Sequence, residues 1–314
     1  MRTLRVSSGG GLSKINAENL PHDPETRACF TAESGNKFIC IDYMSQESRI
    51  IASVSNDPAM IEVFETGCGD VHSLVAYMAY PNIIPRDTKI EDIKRLYPKE
   101  RQEAKGIEFS INYGGDFNTI AANKGIAVSE AKKIYDNFMK GFPGVHHYQD
   151  YCRKEVMEKG YILMNPIFGH RAHIYDFEEL DAIQKKFDEP EFWEYYREMK
   201  RESPSCDTVQ RVKKYFKRKS ASEKQSINYR IQNRGACAFK LSSIKFFNWI
   251  IQNNYQNIVK MCIPAHDEFL IECPENMAEL VLDIITKCMV AGGKPFCKNV
   301  YLGADGGIYD HWVH

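Results

Sequence analysis

The sequence predicts an α+β fold, with helices packed on an antiparallel sheet. Short apolar runs at 38–41, 260–263 and 269–273 have the length of buried strands. The last two runs flank a tight turn at 266–268, and they therefore predict an antiparallel hairpin. The long stretches between these runs have the apolar spacing and the boundary residues of helices. A chain of 314 residues is long enough for one large domain or for two smaller domains with cores of their own.

Boundary residues define the helices predicted in the first half of the chain. Asp57-Pro58 is a start signal, Pro98 interrupts a helix, and Gly114-Gly115 ends one. The predicted helices cover Gln46–Ala52, two stretches within 57–80, Asp92–Tyr113, Val128–Phe138 and Val145–Lys159. Residues 161–174 predict a hairpin around Phe168-Gly169-His170, whereas residues 1–25 are polar and predict a loop.

Residues 177–224 have a different composition from the rest of the chain. They are dense in charged and aromatic residues, and they predict an inserted helical segment. Its end, 211–219, carries six basic residues in nine, which fits either a solvated helix face or a surface for DNA or an acidic partner. A long helix, Ser226–Gln252, and a helix over Ala278–Met289 follow, and a short tail begins at Val300. The predicted division of the chain is 1–75, 76–175, 176–225 and 226–314.

Composition and charge exclude several classes of protein. Apolar residues make up 43% and charged residues 26% of the chain, as in globular proteins and unlike disordered or fibrous ones. The net charge is −1, so any DNA binding must use local positive charge or a partner. The ten cysteines are scattered without a CxxC pair, which argues against a zinc site or a disulfide scaffold and favours the reducing cytoplasm. No apolar run reaches the ~20 residues that cross a bilayer, and residues 1–13 lack the apolar core of a signal peptide.

Two aspartates lie at the ends of predicted strands. Asp42 follows the strand at 38–41, and Asp267 lies in the turn of the hairpin. On adjacent strands such a pair would hold two divalent cations roughly 4 Å apart, as in-line phosphoryl transfer requires. Magnesium suits this arrangement because it takes one or two carboxylates together with substrate phosphates. Each aspartate on its own is equally typical of a turn or a helix cap.

One predicted helix carries two cations and two aromatic residues at constant spacing. Arg101, Lys105, Phe109 and Tyr113 follow one another at intervals of four, which places them on one slowly drifting stripe. Two cations one turn apart can clamp a triphosphate, and the aromatic rings can pack against a sugar or a base. An amphipathic helix with an exposed basic end and a buried aromatic end explains the same spacing.

Taken in order, these features resemble the DNA polymerase I family, family A, in its palm and fingers region and of a bacteriophage type. Four segments carry the resemblance over nearly the whole chain: motif A at Ile41–Ile50, RxxxKxxxFxxxYG at Arg101–Gly114, INxxxQxxxxxxxK at Ile227–Lys240, and motif C at His266-Asp267-Glu268. Smaller matches lie at Asp70-Val71-His72, Phe142–Val145 and Arg5–Ser8. Motif A departs from the family pattern, because Met44-Ser45-Gln46 replaces Ser-Gln-Ile. The helix after Gln232 also lacks the family's small-residue pattern ending in Asp.

The resemblance implies roles for individual residues at the reacting end. Asp42, Asp267 and the carbonyl of Tyr43 would ligate two Mg²⁺, or Mn²⁺, with Glu268 as a secondary catalytic carboxylate. The residues implied to bind the incoming dNTP are Arg101, Lys105 and His72 at the triphosphate, Phe109 at the deoxyribose, Tyr113 near the templating base, and Glu47. Lys105 would also protonate the leaving pyrophosphate. Glu47 would bond Tyr113 and be a steric gate against the ribose 2′-OH.

The resemblance also implies a partner and a cellular location. Primer–template DNA would contact Arg5, Arg49, Asn228, Gln232 and His266. Only 41 residues precede Asp42, and the family's thumb and exonuclease lie upstream of motif A, so neither is expected on this chain. Either the chain is an excised fragment, or the polymerase is split and a second protein supplies the thumb and the exonuclease. The expected location is the cytoplasm, that of the host if the source is viral.

The expected function is that of a template-directed DNA polymerase catalytic subunit that adds dNTPs to a primer 3′ end. Three other functions compete with it. A two-metal nuclease shares the carboxylates but has no use for a triphosphate clamp. An inactive DNA-binding or scaffold subunit has no use for Asp42, Asp267, Arg101 and Lys105. A single-subunit RNA polymerase is opposed by Glu47, which would reject its own substrate.

Overall fold

A computed structural model describes residues 3, 20, 23–66 and 70–313. The helices are α1 Pro24–Ala28, α2 Gln46–Ser55, α3 Pro58–Glu65, α4 Val71–Ala79, α5 Ile90–Leu96, α6 Pro98–Asn112, α7 Phe117–Lys124, α8 Val128–Gly141, α9 Pro143–Lys159, α10 Phe177–Lys186, α11 Pro190–Glu202, α12 Asp207–Gln252 and α13 Ala278–Gly293. The strands are β1 Asn36–Tyr43, β2 Tyr161–Asn165, β3 His170–His173, β4 Lys260–Ala265, β5 Glu268–Pro274 and β6 Ala304–Tyr309. The predicted α+β class is confirmed. In the part of the chain that the structure covers, no helix is long and apolar enough to cross a membrane.

The chain forms two compact units. The first combines Met1–Val71 with Ile231–His314, and the second is the continuous segment His72–Arg230. The outer predicted segments, 1–75 and 226–314, fall mainly in the first unit, and 76–225 falls in the second. Arg5 and the Arg5–Ser8 match lie outside the described residues.

The first unit is built on a four-stranded antiparallel sheet in the order β4-β5-β1-β6. β1 lies inside this sheet because its Ile39 and Ile41 are fully apolar and buried. The strands expected at 38–41, 260–263 and 269–273 are confirmed. β6 was not predicted, because Gly306-Gly307 interrupts its apolar pattern. Gly306 is required there, since a Cβ atom at this position would lie 2.2 Å from the carbonyl oxygen of Cys40 on β1.

The two faces of this sheet have different coverings. On one face the hydroxyl of Tyr43 hydrogen-bonds Ser242 of α12 at 2.7 Å and donates to the carbonyl of Met289 in α13 at 2.8 Å. On the other face, Phe38 and Cys40 pack in a small cluster with Leu270 and Trp312. Because side chains alternate along a strand, Asp42 shares the face of Phe38 and Cys40, opposite the helices. The predicted site is therefore on the face of the sheet that carries this cluster.

The second unit is helical apart from the β2–β3 hairpin. The predicted breaks at Pro98 and near Pro143 are confirmed as helix starts. Helix α7 was not predicted, because its apolar residues do not form a clear stripe at helical spacing. Asp116 caps its start, since its carboxylate accepts a hydrogen bond from the amide of Thr119 at 2.9 Å. The helix expected to begin at Ser226 begins at Asp207 instead. No glycine or proline interrupts α12 before Gly235, so the basic run and the later motif share one 46-residue helix.

Gly114 and Gly115 end α6 with a fixed cap. Gly114 has φ +78, and its amide donates to the carbonyl of Ile111, while the amide of Gly115 donates to the carbonyl of Ser110. These two bonds form a Schellman motif, which needs a left-handed residue at the first glycine. A Cβ atom at Gly115 would lie 2.6 Å from the carbonyl oxygen of Ser110. The glycine pair therefore holds the end of α6 in place rather than loosening it.

A buried ion pair joins α9 to α12 in the second unit. Glu155 accepts hydrogen bonds from Arg230, from Lys159 at 2.6 Å and from Tyr151 at 2.9 Å. Burial would raise the pKa of Glu155, but the bonds from Lys159, Arg230 and Tyr151 outweigh it and lower this pKa to about 2. The carboxylate therefore stays ionised in the folded protein below the pH at which it titrates in the unfolded chain.

We expect Glu155→Gln to remove a pH-dependent part of the stability. Because the folded pKa is depressed, Glu155 contributes stability that is fully present above about pH 4.5 and is lost as the pH falls towards about 2. Urea unfolding of the parent and the variant from pH 7 to pH 2 measures this. The parent should be the more stable at pH 7, and the gap should shrink below about pH 4.5. A gap that stays constant over that range contradicts the assignment.

Candidate active site

Strand register brings three carboxylate residues into one row of the sheet. Asp42 on β1 lies directly opposite Glu268 on β5 and, on its other side, opposite Asp305 on β6. Residues paired in this way have Cβ atoms about 4.5–5.5 Å apart. All three line a cavity of about 250 Å³. Asp305 was not predicted to belong to the site, because the strand that carries it was not recognised.

Asp267 lies next to this row in a two-residue turn. Ala265 pairs with Glu268, so His266 and Asp267 form the whole connection between β4 and β5. His266 is exposed and has φ +52, a left-handed conformation that is uncommon outside glycine. Such a turn fixes the direction of the chain as it enters β5. The two predicted metal ligands, Asp42 and Asp267, are thus brought to neighbouring positions of the same sheet edge.

Glu268 is held in a buried network with residues from both ends of the first unit. Its Oε1 accepts from the indole Nε1 of Trp312 at 2.6 Å, and its Oε2 lies 3.4 Å from Nη1 of Arg27. The guanidinium of Arg27 also stacks on the Trp312 ring, 4.2 Å from its centroid. All three side chains are buried. The carboxylate of Glu268 therefore has a partner at each oxygen.

The residues after Asp42 form a tight link into α2. Ser45 has φ +48, and Gln46 is buried where Gly235 of α12 leaves space for its side-chain oxygen. Arg49 donates to the carbonyls of Met44 at 2.9 Å and Tyr301 at 2.7 Å, and burial lowers its pKa. The guanidinium of Arg49 therefore stabilises the link between β1 and α2. These bonds do not support its predicted contact with DNA. Glu47, on the first turn of α2, is half-buried.

The predicted stripe on α6 is assembled with His72 in the second unit. The rings of Phe109 and Tyr113 stack with centroids 6.2 Å apart, and Nζ of Lys105 lies 5.9 Å from the Phe109 centroid. The His72 ring, from α4, is 6.0 Å from the same Phe109 ring. Arg101, one turn before Lys105, is half-buried. The structure thus brings one cation, two aromatic rings and a histidine of the predicted set together: Lys105, Phe109, Tyr113 and His72.

A further cation joins this surface from α7. Lys99, Lys105, Phe109 and Lys124 line a cavity of about 590 Å³ beside α6. The Nζ atom of Lys124 lies 3.4 Å from where a Cβ atom of Gly106 would be. Gly106 therefore gives Lys124 room to approach α6 one residue after Lys105. This lysine was missed because α7 was not recognised as a helix.

The predicted DNA-contacting residues of α12 are both half-buried. In the second unit, the side-chain oxygen of Asn228 is buried and has no hydrogen-bond partner among the described residues. A buried oxygen of this kind is expected to accept a hydrogen bond from a ligand or from water. Gln232 belongs to the first unit.

Most of the basic run at 211–219 is neutralised within the second unit. The ion pairs are Arg211–Asp207 at 2.8 Å, Lys214–Glu179 at 2.8 Å, Arg218–Asp176 at 3.0 Å and Lys219–Glu223 at 3.9 Å. Pairs of this kind lower the local positive charge that would attract a phosphate backbone. They favour the interpretation of this run as a solvated helix face.

The acidic residues of the first unit offer a small set of oxygen donors for a divalent metal ion. Among the residues that the structure covers, no group of three or more His, Cys, Asp or Glu side chains is arranged to hold a metal ion. Asp42 and Asp267 offer a pair of half-buried carboxylates. The carbonyl of Tyr43 adds an oxygen whose position is fixed by the buried hydroxyl bonds of that residue. Oxygen-only donors, few in number, fit magnesium, which fills its shell with water and substrate phosphates.

Comparison with known proteins assigns the chain to a family. The model of DNA polymerase family A matches residues 3–314. The chain belongs to DNA polymerase family A. A DNA polymerase of Mycobacterium phage D29 is 37% identical to this family A chain over 174 residues, which is 55% of the chain and 26% of the phage protein. DNA polymerase I of Aquifex aeolicus is 25% identical over 95% of the chain and 42% of the relative.

Two further similarities extend over nearly the whole chain. The thermostable DNA polymerase I of Thermus aquaticus is 26% identical over 99% of the chain and 31% of the relative. A solved structure of the POL domain of Pol1 from M. smegmatis, in complex with DNA primer-template and dNTP, has a TM-score of 0.75 at 24% identity. It shares its fold with 99% of this chain, which covers 46% of that structure's chain. The family A chain thus spans less than half the length of each of these relatives.

We expect Trp312→Phe to destabilise the first unit. Phenylalanine keeps most of the buried ring but removes the indole N–H, which leaves Oε1 of Glu268 without that donor. The free energy of unfolding should fall by about 1–3 kcal/mol, and urea denaturation measures it. Tyr309→Phe, a change in the preceding strand at a partly exposed ring, is the control and should alter stability by less than about 0.5 kcal/mol. Equal stability of the parent and Trp312→Phe contradicts the network.

Proposed function

We propose that this chain carries the polymerising site of a template-directed DNA polymerase, which adds dNTPs to a primer 3′ end. The main support for this proposal is that a family A chain places Asp42 and Asp267 at neighbouring positions at one end of the sheet. The cationic and aromatic surface of α6 supplies the second component, a site for a triphosphate and its nucleoside. In these terms the first unit acts as the palm, and the second carries the fingers.

In the proposed reaction the primer 3′ oxygen attacks the α-phosphorus of the nucleotide, and pyrophosphate leaves. Asp42, Asp267 and the carbonyl of Tyr43 would hold two Mg²⁺, which activate the attacking oxygen and neutralise charge on the phosphates. Arg101, Lys105 and His72 bind the triphosphate, with Lys124 as an added cation. Lys105 protonates the leaving pyrophosphate. The buried hydroxyl of Tyr43 keeps its neighbour Asp42 aligned.

Glu268 is proposed to act indirectly in this reaction. Its two oxygens are engaged by Trp312 and Arg27, so it holds β5 in register and thereby places Asp267. Phe109 packs on the deoxyribose, Tyr113 lies near the templating base, and Glu47 excludes the ribose 2′-OH. Primer–template contacts are proposed for Asn228, Gln232 and His266. The unpartnered oxygen of Asn228 supports the first of these.

We also propose that a second protein supplies a thumb and an exonuclease. The charge distribution supports a need for additional positive surface, because the net charge is −1 and the densest basic run is largely paired with acidic side chains. Polymerase affinity for duplex DNA comes largely from neutralised phosphates. Further polypeptide that adds such contacts would strengthen the grip on DNA.

Asp42→Asn and Asp267→Asn should each reduce primer extension by roughly a thousandfold or more, because each removes a carboxylate from the proposed metal site. Single-nucleotide extension with Mg²⁺ measures the loss. Asp283→Asn, which removes an exposed carboxylate paired with Lys287, is the control and should extend at the parent rate. Near-normal extension by either site variant would sink the metal assignment. Degradation of labelled DNA without dNTPs, lost in both variants, would favour the nuclease instead.

Glu47→Ala should admit ribonucleotides. Removing the carboxylate opens space beside the sugar C2′, so kcat/KM for an rNTP relative to the matching dNTP should rise by about tenfold or more. Glu62→Ala, which removes a carboxylate from α3, should leave this ratio unchanged. A parent that already prefers rNTPs would favour the RNA polymerase alternative. A ratio unchanged in Glu47→Ala shows that this residue is not the gate.

A further inference from the structure

A buried glutamate contacts the histidine that is proposed to bind the triphosphate. Glu108 on α6 has no exposed side-chain surface, and the side chain of His72 in the first turn of α4 is 12% exposed. The Nδ1 atom of His72 and the Oε2 atom of Glu108 are 2.5 Å apart. The other carboxylate oxygen accepts from the side-chain amide of Asn112, one turn later on α6, at 3.2 Å. Histidine, glutamate and asparagine thus form a hydrogen-bonded chain inside the second unit.

Stability alone is a poor explanation for a carboxylate at this position. A buried ionised group has a desolvation cost that its partners only partly offset, and an apolar residue of similar size is often at least as stable. Ile107 and Ile111, on the same helix, show that apolar side chains pack well in this part of α6. The carboxylate instead determines the direction of the hydrogen bond with His72, because an ionised carboxylate only accepts hydrogen bonds.

We propose that Glu108 is a positioning residue that holds a proton on Nδ1 of His72 and so presents Nε2 to the triphosphate of the incoming nucleotide. This inference rests on the proposed nucleotide site. The two nitrogens of an imidazole are distinguished by the bond that one of them makes, and here the bond is to Nδ1. The side-chain amide of Asn112 holds the other oxygen of the carboxylate, and the Phe109 ring packs beside the imidazole.

The carboxylate also supplies the charge that the contact with phosphate needs. A phosphate oxygen accepts hydrogen bonds, so Nε2 must carry a proton to bind it. The negative charge of Glu108 compensates a ring that donates from both nitrogens, in the way that a carboxylate supports a metal-binding or catalytic histidine from its far side. His72 then acts together with Lys105, whose ammonium nitrogen lies 5.9 Å from the centroid of the same Phe109 ring.

The protonation of His72 is tested first, without any catalytic readout. The full chain is labelled with ¹⁵N-histidine, and His72→Gln identifies the ring signals of His72. Long-range ¹H–¹⁵N correlation spectra should show a protonated Nδ1 in the parent, and this signal should change its shift in Glu108→Gln. An unprotonated Nδ1 in the parent overturns the proposal. This measurement does not depend on polymerase activity.

Nucleotide affinity is tested second. Binding of the correct dNTP is titrated on a complex with a dideoxy-terminated primer, so that no bond is made. Glu108→Gln and His72→Gln should each raise the Kd for the dNTP by about tenfold. The double variant should be no weaker than either single variant, because one contact is lost in all three. Unchanged binding in Glu108→Gln, or effects that multiply in the double variant, overturn the proposal.

A matched control separates positioning from folding. Glu155→Gln removes another buried, hydrogen-bonded carboxylate of the same unit, whose donors Arg230, Lys159 and Tyr151 differ from those of Glu108. It should lower the thermal midpoint but keep the parent Kd for dNTP. If Glu155→Gln weakens nucleotide binding as much as Glu108→Gln, the effect is one of general stability and the positioning role is overturned. A parent that binds no dNTP at all overturns the proposed function, while the protonation result for His72 stands.

Discussion

The hydrogen-bonded register of β1 with β5 and β6 is the constraint on which the first unit depends. Because β1 has a partner on each side, a one-residue slip would turn Asp42 towards the helices and Tyr43 towards the opposite face. Tyr43 opposes such a slip, since its hydroxyl is bonded to both α12 and α13. On the other face, Glu268 holds β5 to Arg27 and Trp312. The row of carboxylates thus depends on contacts of aromatic side chains on both faces of the sheet.

Buried carboxylates have a similar place in the organisation of the second unit. Glu155 joins α9 to α12, and Glu108 joins α4 to α6, each with a donor at both oxygens. The difference lies in the donors. Glu155 pairs with two permanent cations, which suits a fixed joint, whereas Glu108 pairs with a histidine and an amide. A histidine can exchange its proton near neutral pH, and it belongs to the surface where a polyanion is expected to bind.

Sequence patterns predicted most of the elements that position the site, and their failures have physical causes. β1, β4 and β5 were recognised because short, mostly apolar runs are typical of buried strands. β6 was not predicted because its two glycines, of which Gly306 is required by the close approach of β1, interrupt the apolar pattern of a strand. Asp305, which lines the cavity, was therefore not predicted either. The spacing on α6 predicted its surface well. The pairing of His72 with Glu108 depends on how α4 packs on α6, which no local pattern encodes.

The order of the strands along the chain has a consequence for synthesis on the ribosome. The second unit is one uninterrupted segment, so all of it is translated before either neighbour of β1 is made. Until then β1 is a nascent strand with two open edges and apolar side chains such as Ile39 and Ile41, the kind of segment that associates with other chains. Lys37 and Asp42 flank that apolar stretch with opposite charges. The charge of the aspartate proposed for metal binding therefore also opposes the association of this segment with other chains while the protein is incomplete.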